Sequence, residues 1–217
     1  MGDRPRVLIN CAASLDGKIA FADRSRARLS SEEDLARVHE MRNAVDAIIV
    51  GVGTILTDDP SLAVKEKYVD GKPRTPAKVI LDSSLRTPPH ARALKSPGRT
   101  IIFTAEECQD YIEGIDTVRC GKGRVDIDEA LTRLKGMGMG SVMVEGGSTL
   151  IWAFLRAGLW DELTVYYAPL AIGGEGTPSV ADGPGAAVLE EAVPMDILAA
   201  EKLGEGILVR AVPRGKG

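Results

Sequence analysis

Glycines and hydroxyl residues separate a short apolar run from a helical pattern in VMVEGGSTLIWAFLRAG, residues 142–158. The β-branched run predicts a buried strand. The apolar spacing after it predicts a helix that begins near Ser148 or Thr149 and ends before Gly158. The first N–H groups of a helix favour an anion, and glycines let the backbone approach it. A phosphate or pyrophosphate suits this chemistry, and a plain glycine turn is the alternative.

A second glycine-containing segment, IIVGVGTILTDDPSL, spans residues 48–62. It starts a GxGxx pattern, but Leu56 stands where the dinucleotide-binding fingerprint has its third glycine, so an ordinary Rossmann domain is not predicted. Thr54 and Asp58 follow the strand on a predicted turn, at the strand end where open α/β sheets bind ligands. Roles as a helix cap and a turn residue are the alternative.

Polar side chains also follow the strand predicted in VILDSSLRTP, residues 79–88. Ser83, Ser84 and Arg86 come directly after it. Hydroxyls and a guanidinium fork suit an adenosine 2′-phosphate, so Arg86 favours NADPH over NADH. A solvated loop is the alternative for this segment alone.

Composition limits the class of protein. The chain has 217 residues, 44% of them hydrophobic and 27% charged, with a net charge of −4. These values are ordinary for a globular protein and give no indication of nucleic-acid binding. Three unpaired cysteines and two distant histidines predict reduced thiols and no metal site. The sequence has neither a signal-peptide pattern nor a long apolar run, so a cytoplasmic location without membrane contact is expected.

Predicted strands and helices alternate along the chain, which indicates an α/β fold with a mostly parallel sheet covered on both faces. A capping box, Ser30 with Glu33, opens the first helix. Residues 197–202 and 207–212 predict a closing antiparallel hairpin, and residues 173–185 predict a surface loop before it. A single domain, residues 1–217, is expected. The exposed apolar hairpin favours a homodimer.

Four motifs in order, SLDGKIA (residues 14–20), VGVGTILTDDPSL (50–62), VILDSSLRTP and VMVEGGSTL, resemble the riboflavin-biosynthesis reductase family. The resemblance covers nearly the whole chain and implies a dihydrofolate-reductase-like three-layer α/β/α fold. Bacterial members often carry a zinc deaminase with H-x-E and P-C-x-x-C motifs. The sequence lacks both motifs and is therefore similar to the stand-alone archaeal or fungal branch.

The resemblance implies NADPH-dependent reduction, with NADH possible, of 2,5-diamino-6-ribosylamino-4(3H)-pyrimidinone 5′-phosphate to its ribitylamino product. Reduction of 5-amino-6-(5-phosphoribosylamino)uracil is an alternative. So is a pterin or dihydrofolate reductase, which needs an acid on the first long helix, where Asp34 and Glu40 stand. A non-catalytic NADP-binding sensor is an alternative of another class.

The same resemblance implies a set of site residues. For the cofactor these are Ala12, Thr54, Asp58, Ser83, Ser84, Arg86, Thr104, Gly146, Gly147, Ser148 and Thr149. For the substrate they are Arg42, Leu62, Lys65 and Glu145. Lys65 stands where the family commonly has Arg, and Arg28-Leu29-Ser30 replaces a common Trp-Ile-Thr, so an aromatic contact with the cofactor is lost.

Hydride transfer to C1′ of the ribose requires ring opening, and ring opening requires a proton donor within hydrogen-bond reach. The carboxylates available are Asp16, Asp58 and Glu145, and Lys18 is a further polar candidate. We expect Glu145 to orient the substrate and take Asp16 as the candidate acid. The alternative is that Asp16 has a structural role, as a turn residue in Leu-Asp-Gly.

Overall fold

The structure is a computed structural model that describes residues 3–215. Strands and helices alternate along most of it. The strands are β1 (Arg6–Ser14), β2 (Ala47–Gly51), β3 (Ala77–Leu81), β4 (Thr100–Thr104), β5 (Asp116–Arg119), β6 (Ser141–Val144), β7 (Glu162–Ala168), β8 (Met195–Leu203) and β9 (Gly206–Pro213). The α-helices are α1 (Glu32–Ala44), α2 (Val52–Asp58), α3 (Arg92–Lys95), α4 (Ile127–Gly136) and α5 (Ser148–Arg156).

The described part of the chain divides into two compact units. The first unit contains residues 3–6 together with His39–Val144. Its strands lie in the order β5-β4-β3-β2-β6, and each neighbouring pair is parallel. Parallel strands with helical connections between them are buried on both faces, so their sequences are almost continuously apolar. The buried stretches Ile48–Val50, Ile101–Phe103 and Val142–Val144 illustrate this.

The second unit contains Val7–Val38 and the described residues from Glu145 onward. Its strands lie in the order β1-β7-β9-β8. β1 pairs with β7 in parallel, whereas β7–β9 and β8–β9 are antiparallel, with an irregularity between Ile197 and Ala199 in β8. Helix α5 buries Ile151, Phe154 and Leu155 along one face. Gly158 has φ +67°, the left-handed conformation that commonly ends a helix.

The predicted fold class, α/β with mostly parallel strands and an antiparallel C-terminal hairpin, is confirmed. Two predicted helix starts were wrong by one residue or more. Ser31, not Ser30, caps α1 through the N–H of Asp34, because neighbouring serines offer the same hydroxyl. Gly147 is the N-cap of α5, which leaves Ser148 inside the helix. The single domain expected from the sequence stays a prediction.

None of the helices in residues 3–215 has the length and apolar character that crossing a bilayer requires. The same residues contain no cluster of three or more His, Cys, Asp or Glu side chains suited to a metal ion.

Candidate active site

Thr54 and Asp58 lie on α2, a short helix that follows β2 without a connecting loop. The turn expected at this place was wrong. Val52 and Ile55 are buried at helical spacing, which explains the helix. Thr54 and Asp58 are four residues apart and therefore share one partly exposed face of α2. A side chain added at Gly53, in the first turn, would meet only open space.

The loop after β3 carries Ser83, Ser84 and Arg86 and is closed by its own hydrogen bonds. The carboxylate of Asp82 accepts from the backbone N–H and the hydroxyl of Thr87, each at 2.7 Å. The hydroxyl of Ser83 accepts a hydrogen bond from the backbone N–H of Val125 at 3.0 Å. Ser84 and Arg86, in contrast, are exposed. The exposed pair is therefore the part of the loop that a ligand can reach first.

Thr104 ends β4 beside this loop, since Leu81 of β3 pairs with Phe103 of β4. Its side chain is fully buried, and its hydroxyl has no hydrogen-bond partner among residues 3–215. Within the same residues the second carboxylate oxygen of Asp82 also lacks a partner. Buried polar groups rarely lack a hydrogen-bond partner. The Thr104 hydroxyl and the second Asp82 oxygen can therefore each form a further hydrogen bond at these two strand ends. The sequence did not single out Asp82 as the residue that closes this loop, although an Asp directly after a strand is typical of such turns.

Arg42, Leu62 and Lys65, the predicted substrate contacts in the first unit, belong to one local structure. The guanidinium of Arg42 donates to the carbonyl of Ala63 at 3.2 Å. The backbone N–H of Lys65 donates to Nδ1 of His39 at 3.2 Å. Helix α1 thus holds the segment that contains Leu62, and the structure brings these three residues together. His39 was missed because a lone buried histidine gives no signal in the sequence.

Leu62 has φ +56° and is only 2% exposed. Asp59, three residues earlier, also has a left-handed backbone, with φ +39°. Such conformations are unfavourable for residues other than glycine, and they persist only where the surroundings impose them. This short segment is therefore held in a defined shape.

The turn Gly146–Gly147 leads into α5 in the second unit. The peptide bond between these glycines is cis, and Gly146 has φ +119° with open space where a side chain would lie. The first turn of α5 contains Ser148 and Thr149 and no acidic residue. The Thr149 hydroxyl, the first N–H groups of the helix and a backbone without side chains fit an anionic group, whereas the Ser148 hydroxyl donates to the carboxylate of Asp182. Glu145 immediately precedes this turn.

Ala12 lies on β1 and is partly buried. It packs against a hydrophobic cluster whose members are Leu29, Tyr166, Ala168 and Leu208. Leu29 belongs to the Arg-Leu-Ser segment that departs from the family pattern, and its burial shows that the position has a core role in this chain. An apolar wall beside Ala12 suits the nicotinamide ring predicted there.

Asp16 is an acceptor within a hydrogen-bonded turn. The hydroxyl of Ser14 donates to it at 2.5 Å, and the backbone N–H groups of Ile172 and Gly173 donate at 3.0 and 2.7 Å. These bonds, the one from Ser14 being the largest effect, lower the pKa of Asp16 to about 2. A carboxylate ionised at neutral pH has no proton to donate, so the geometry favours the structural alternative over the acid.

The segment after β7 is also tied to the start of α5. The backbone N–H of Asp182 donates to the carbonyl of Ser148 at 3.3 Å, and the hydroxyl of Ser179 donates to the Asp182 carboxylate at 2.5 Å. Burial raises the pKa of Asp182, but hydrogen bonds from the Ser179 and Ser148 hydroxyls outweigh it, so the net pKa is lowered. The surface loop predicted for residues 173–185 is confirmed, and these hydrogen bonds tie it to the start of α5.

Asp34, the acid that a pterin reductase would need on its first long helix, is fully buried. Its Oδ1 accepts from Nη2 of Arg37 at 2.7 Å, and the same nitrogen donates to Asn10 at 2.8 Å. Glu40, the other acid considered, is exposed. Asp34 therefore forms an ion pair within the second unit through Oδ1, while its buried Oδ2 has no hydrogen-bond partner among residues 3–215.

The family model described as "RibD C-terminal domain" matches residues 5–209, and the chain belongs to this family. A 2,5-diamino-6-ribosylamino-4(3H)-pyrimidinone 5′-phosphate reductase from Methanothermobacter thermautotrophicus is 41% identical over 98% of this chain and 100% of its own length. One of the same name from Archaeoglobus fulgidus is 39% identical over 96% of this chain and 98% of its own length.

A solved structure of a diaminohydroxyphosphoribosylaminopyrimidine deaminase/5-amino-6-(5-phosphoribosylamino)uracil reductase from Thermotoga maritima is similar, with a TM-score of 0.83 at 28% identity. The match covers 97% of this chain, which spans 57% of that longer protein. The riboflavin biosynthesis reductase Rib7 of yeast has a TM-score of 0.77 at 20% identity, covering 98% of this chain and 91% of its own. At that identity the likeness concerns the fold alone.

Proposed function

We propose that this protein is an oxidoreductase of riboflavin biosynthesis that reduces 2,5-diamino-6-ribosylamino-4(3H)-pyrimidinone 5′-phosphate to the ribitylamino compound. The observation that carries the proposal is the 41% identity, over 98% of this chain, to a reductase with that name. Four motifs at strand ends and turns, in the order of the family, support the same reaction.

The cofactor in this proposal is NADPH, with NADH as the less favoured donor. Gly146, Gly147, Ser148 and Thr149 would hold its pyrophosphate, and the open space beside Gly146 supports that fit. Ser83, Ser84 and Arg86 would hold the adenosine half, with Thr104 at the neighbouring strand end. Thr54 and Asp58 would bind from α2, and Ala12 would line the nicotinamide. The cofactor supplies the hydride when it is bound.

The protein residues in this proposal orient the substrate and control its proton. Arg42 and Lys65 would bind the 5′-phosphate with positive charge, and Leu62 would contact the base. Glu145 would fix the ribose side of the substrate. Since Asp16 is ionised, we propose that it shapes the turn that precedes Lys18. The donor to the ring oxygen would then be another group, of which Lys18 and water are candidates. The Lys18 ammonium donates to the carbonyl of Thr177 at 3.3 Å, which places it in the hydrogen-bonded segment already described.

The first experiment follows the oxidation of NADPH by its absorbance at about 340 nm. Three substrates are compared: the diaminopyrimidinone phosphate, its deaminated analogue and dihydrofolate. Turnover with the diamino compound, at least about tenfold more efficient than with the others, supports the proposal. Efficient turnover of the uracil compound would instead assign the reaction named for the Thermotoga maritima protein. Tight cofactor binding without turnover would indicate a sensor.

A homodimer belongs to the same proposal. Strand β8 lies at the end of the strand order in the second unit and exposes Ile197 and Leu198. An exposed apolar edge strand is commonly covered by a partner. Sedimentation of the purified protein at several concentrations would test this, because a monomer at all of them would contradict the dimer.

A further inference from the structure

Lys78, the second residue of β3, is a fully buried lysine. Its ammonium donates to the carbonyl oxygen of Ser96 at 2.5 Å and to the hydroxyl oxygen of Ser96 at 3.0 Å. No carboxylate pairs with it anywhere in residues 3–215. Burial therefore lowers the pKa of Lys78. An ammonium held inside a protein by a single neutral residue is costly, so its presence calls for a role.

Ser96, the partner of Lys78, in turn holds the backbone of a distant segment. Its hydroxyl lies 2.6 Å from the carbonyl oxygen of Ser61 and 3.1 Å from that of Ala93. A hydroxyl has one proton to donate, and the Lys78 ammonium occupies an acceptor site on the same oxygen. Because the Lys78 ammonium donates to the Ser96 hydroxyl, the proton of that hydroxyl points to another acceptor. The nearer of the two acceptors is the carbonyl oxygen of Ser61.

The short helix α3 therefore clamps the segment after α2 at two points. At the start of α3, the backbone N–H of Arg92 donates to the Asp59 carboxylate at 2.7 Å. Just past its end, Ser96 binds the carbonyl of Ser61. Lys78 anchors this second point by binding both polar oxygens of Ser96.

The clamped segment is the one with two left-handed residues, Asp59 and Leu62. Leucine rarely adopts this conformation, and at Leu62 it persists only where contacts impose it. Arg42 and His39 of α1 bind the same segment. Strained backbone that the surrounding structure holds in place is typical of ligand-binding loops.

We propose that Lys78 is a positioning residue for substrate binding. Acting through Ser96, it fixes the carbonyl of Ser61 and so holds Leu62 and Lys65 where they contact the phosphorylated pyrimidinone. The inference rests on the proposed function, which makes those two residues substrate contacts. Lys78 itself contacts neither the substrate nor the cofactor in this proposal.

The test is Lys78→Met, which keeps most of the length of the unbranched side chain and removes its charge and donors. We expect KM for the diaminopyrimidinone phosphate to rise about threefold to tenfold, with kcat within about twofold of the original value. Cofactor affinity, measured by fluorescence titration with NADPH, should not change. Lys95→Met is the matched control, since Lys95 is exposed on α3, next to Ser96, and the same substitution there should leave KM unaltered.

Ser96→Ala gives a second, independent variant, which also serves if Lys78→Met does not fold. It should raise KM as Lys78→Met does, and the double variant should be no worse than either single one, because the two residues act in series. Additive effects, or an unchanged KM in both folded variants, would overturn the inference. A loss of thermal stability alone, with KM unchanged, would also overturn it, since that is what a purely structural lysine predicts.

Amide hydrogen exchange supplies a measurement that does not depend on turnover. Amides between Asp59 and Lys65 should exchange faster in Lys78→Met and Ser96→Ala, but not in Lys95→Met. Unchanged exchange would overturn the anchoring. Failure of the unmodified protein to reduce the pyrimidinone would remove the proposed function and with it the substrate role. The exchange result would still decide whether Lys78 holds the segment.

Discussion

The carboxylate of Asp82 binds both the backbone N–H and the hydroxyl of Thr87, each at 2.7 Å, and both residues are buried. These two bonds join the ends of the loop that presents Ser83, Ser84 and Arg86. The loop therefore has its shape before any ligand arrives. A ligand that binds it has less conformational entropy to remove, which favours affinity.

Thr87→Val should lower the free energy of unfolding by about 1–2 kcal/mol, because it removes a buried hydrogen bond to a carboxylate. Urea denaturation measures this. Thr57→Val is the matched control. Thr57 is exposed and its hydroxyl donates to the carbonyl of Gly53 within α2, so a change within about 0.5 kcal/mol is expected. If both variants lost the same free energy of unfolding, the Asp82–Thr87 bonds would stabilise the fold no more than an exposed hydrogen bond does.

Gly147→Val should weaken NADPH binding by about tenfold or more, by filling the space that the pyrophosphate needs. Gly147 has φ −74° and ψ −172°, a backbone conformation that valine also adopts, so the substitution itself imposes no left-handed strain. Fluorescence titration measures the affinity, and circular dichroism checks the fold. Gly136→Ala, at the end of α4 with open space around it, is the control and should bind NADPH normally. Normal affinity in a folded Gly147→Val protein would remove the pyrophosphate assignment.

Glu145→Gln should harm the reduction of the pyrimidinone more than the binding of NADPH. The substitution keeps the size of the side chain and removes its charge, so a group that orients the ribose loses its strongest interaction. We expect kcat/KM to fall by about tenfold to a hundredfold. The fall in kcat/KM is compared with the change in NADPH affinity of the same variant, measured by fluorescence titration. Parallel losses in both measurements would place Glu145 on the cofactor side.

The sequence predicted the strands well where burial is continuous. Runs such as IIV in β2 and VMV in β6 are read correctly because a parallel strand covered on both faces admits only apolar residues. Gly158 ended its helix as predicted, since a left-handed residue there favours glycine. Local chemistry of this kind needs no knowledge of the tertiary structure.

Contacts between distant residues were outside the reach of sequence patterns. The left-handed Leu62 has no signal, because leucine rarely adopts that conformation. Lys78 directly precedes the apolar run VIL of β3 and carries no signal of its own, because its bond to Ser96 depends on how β3 and α3 pack. The same holds for Asp16. Its position in Leu-Asp-Gly indicated a turn, but its partners Ile172 and Gly173 lie far along the chain.

Asp16→Asn should change acid stability and leave the pH dependence of turnover near neutral pH unaltered. The pKa of Asp16 in the folded protein, about 2, lies below its ordinary value of 3.8. Its ionised form therefore stabilises the fold above the unfolded pKa, and this contribution disappears as the pH falls from 3.8 toward 2. The asparagine variant should show a shallower loss of stability across that interval. Thermal unfolding at a series of acidic pH values measures the slope.

The rate measurement separates the two roles considered for Asp16. A general acid with a pKa near 2 would be ionised at neutral pH, so its removal should not delete a limb from the pH–rate profile between about pH 6 and 9. Asp110→Asn, an exposed acid elsewhere in the chain, is the control for the loss of one negative charge. If Asp16→Asn removed a basic-side limb that Asp110→Asn kept, Asp16 would be the proton donor after all. An unaltered profile with a changed acid stability would assign Asp16 to the hydrogen-bonded turn that joins Ser14 to Gly173.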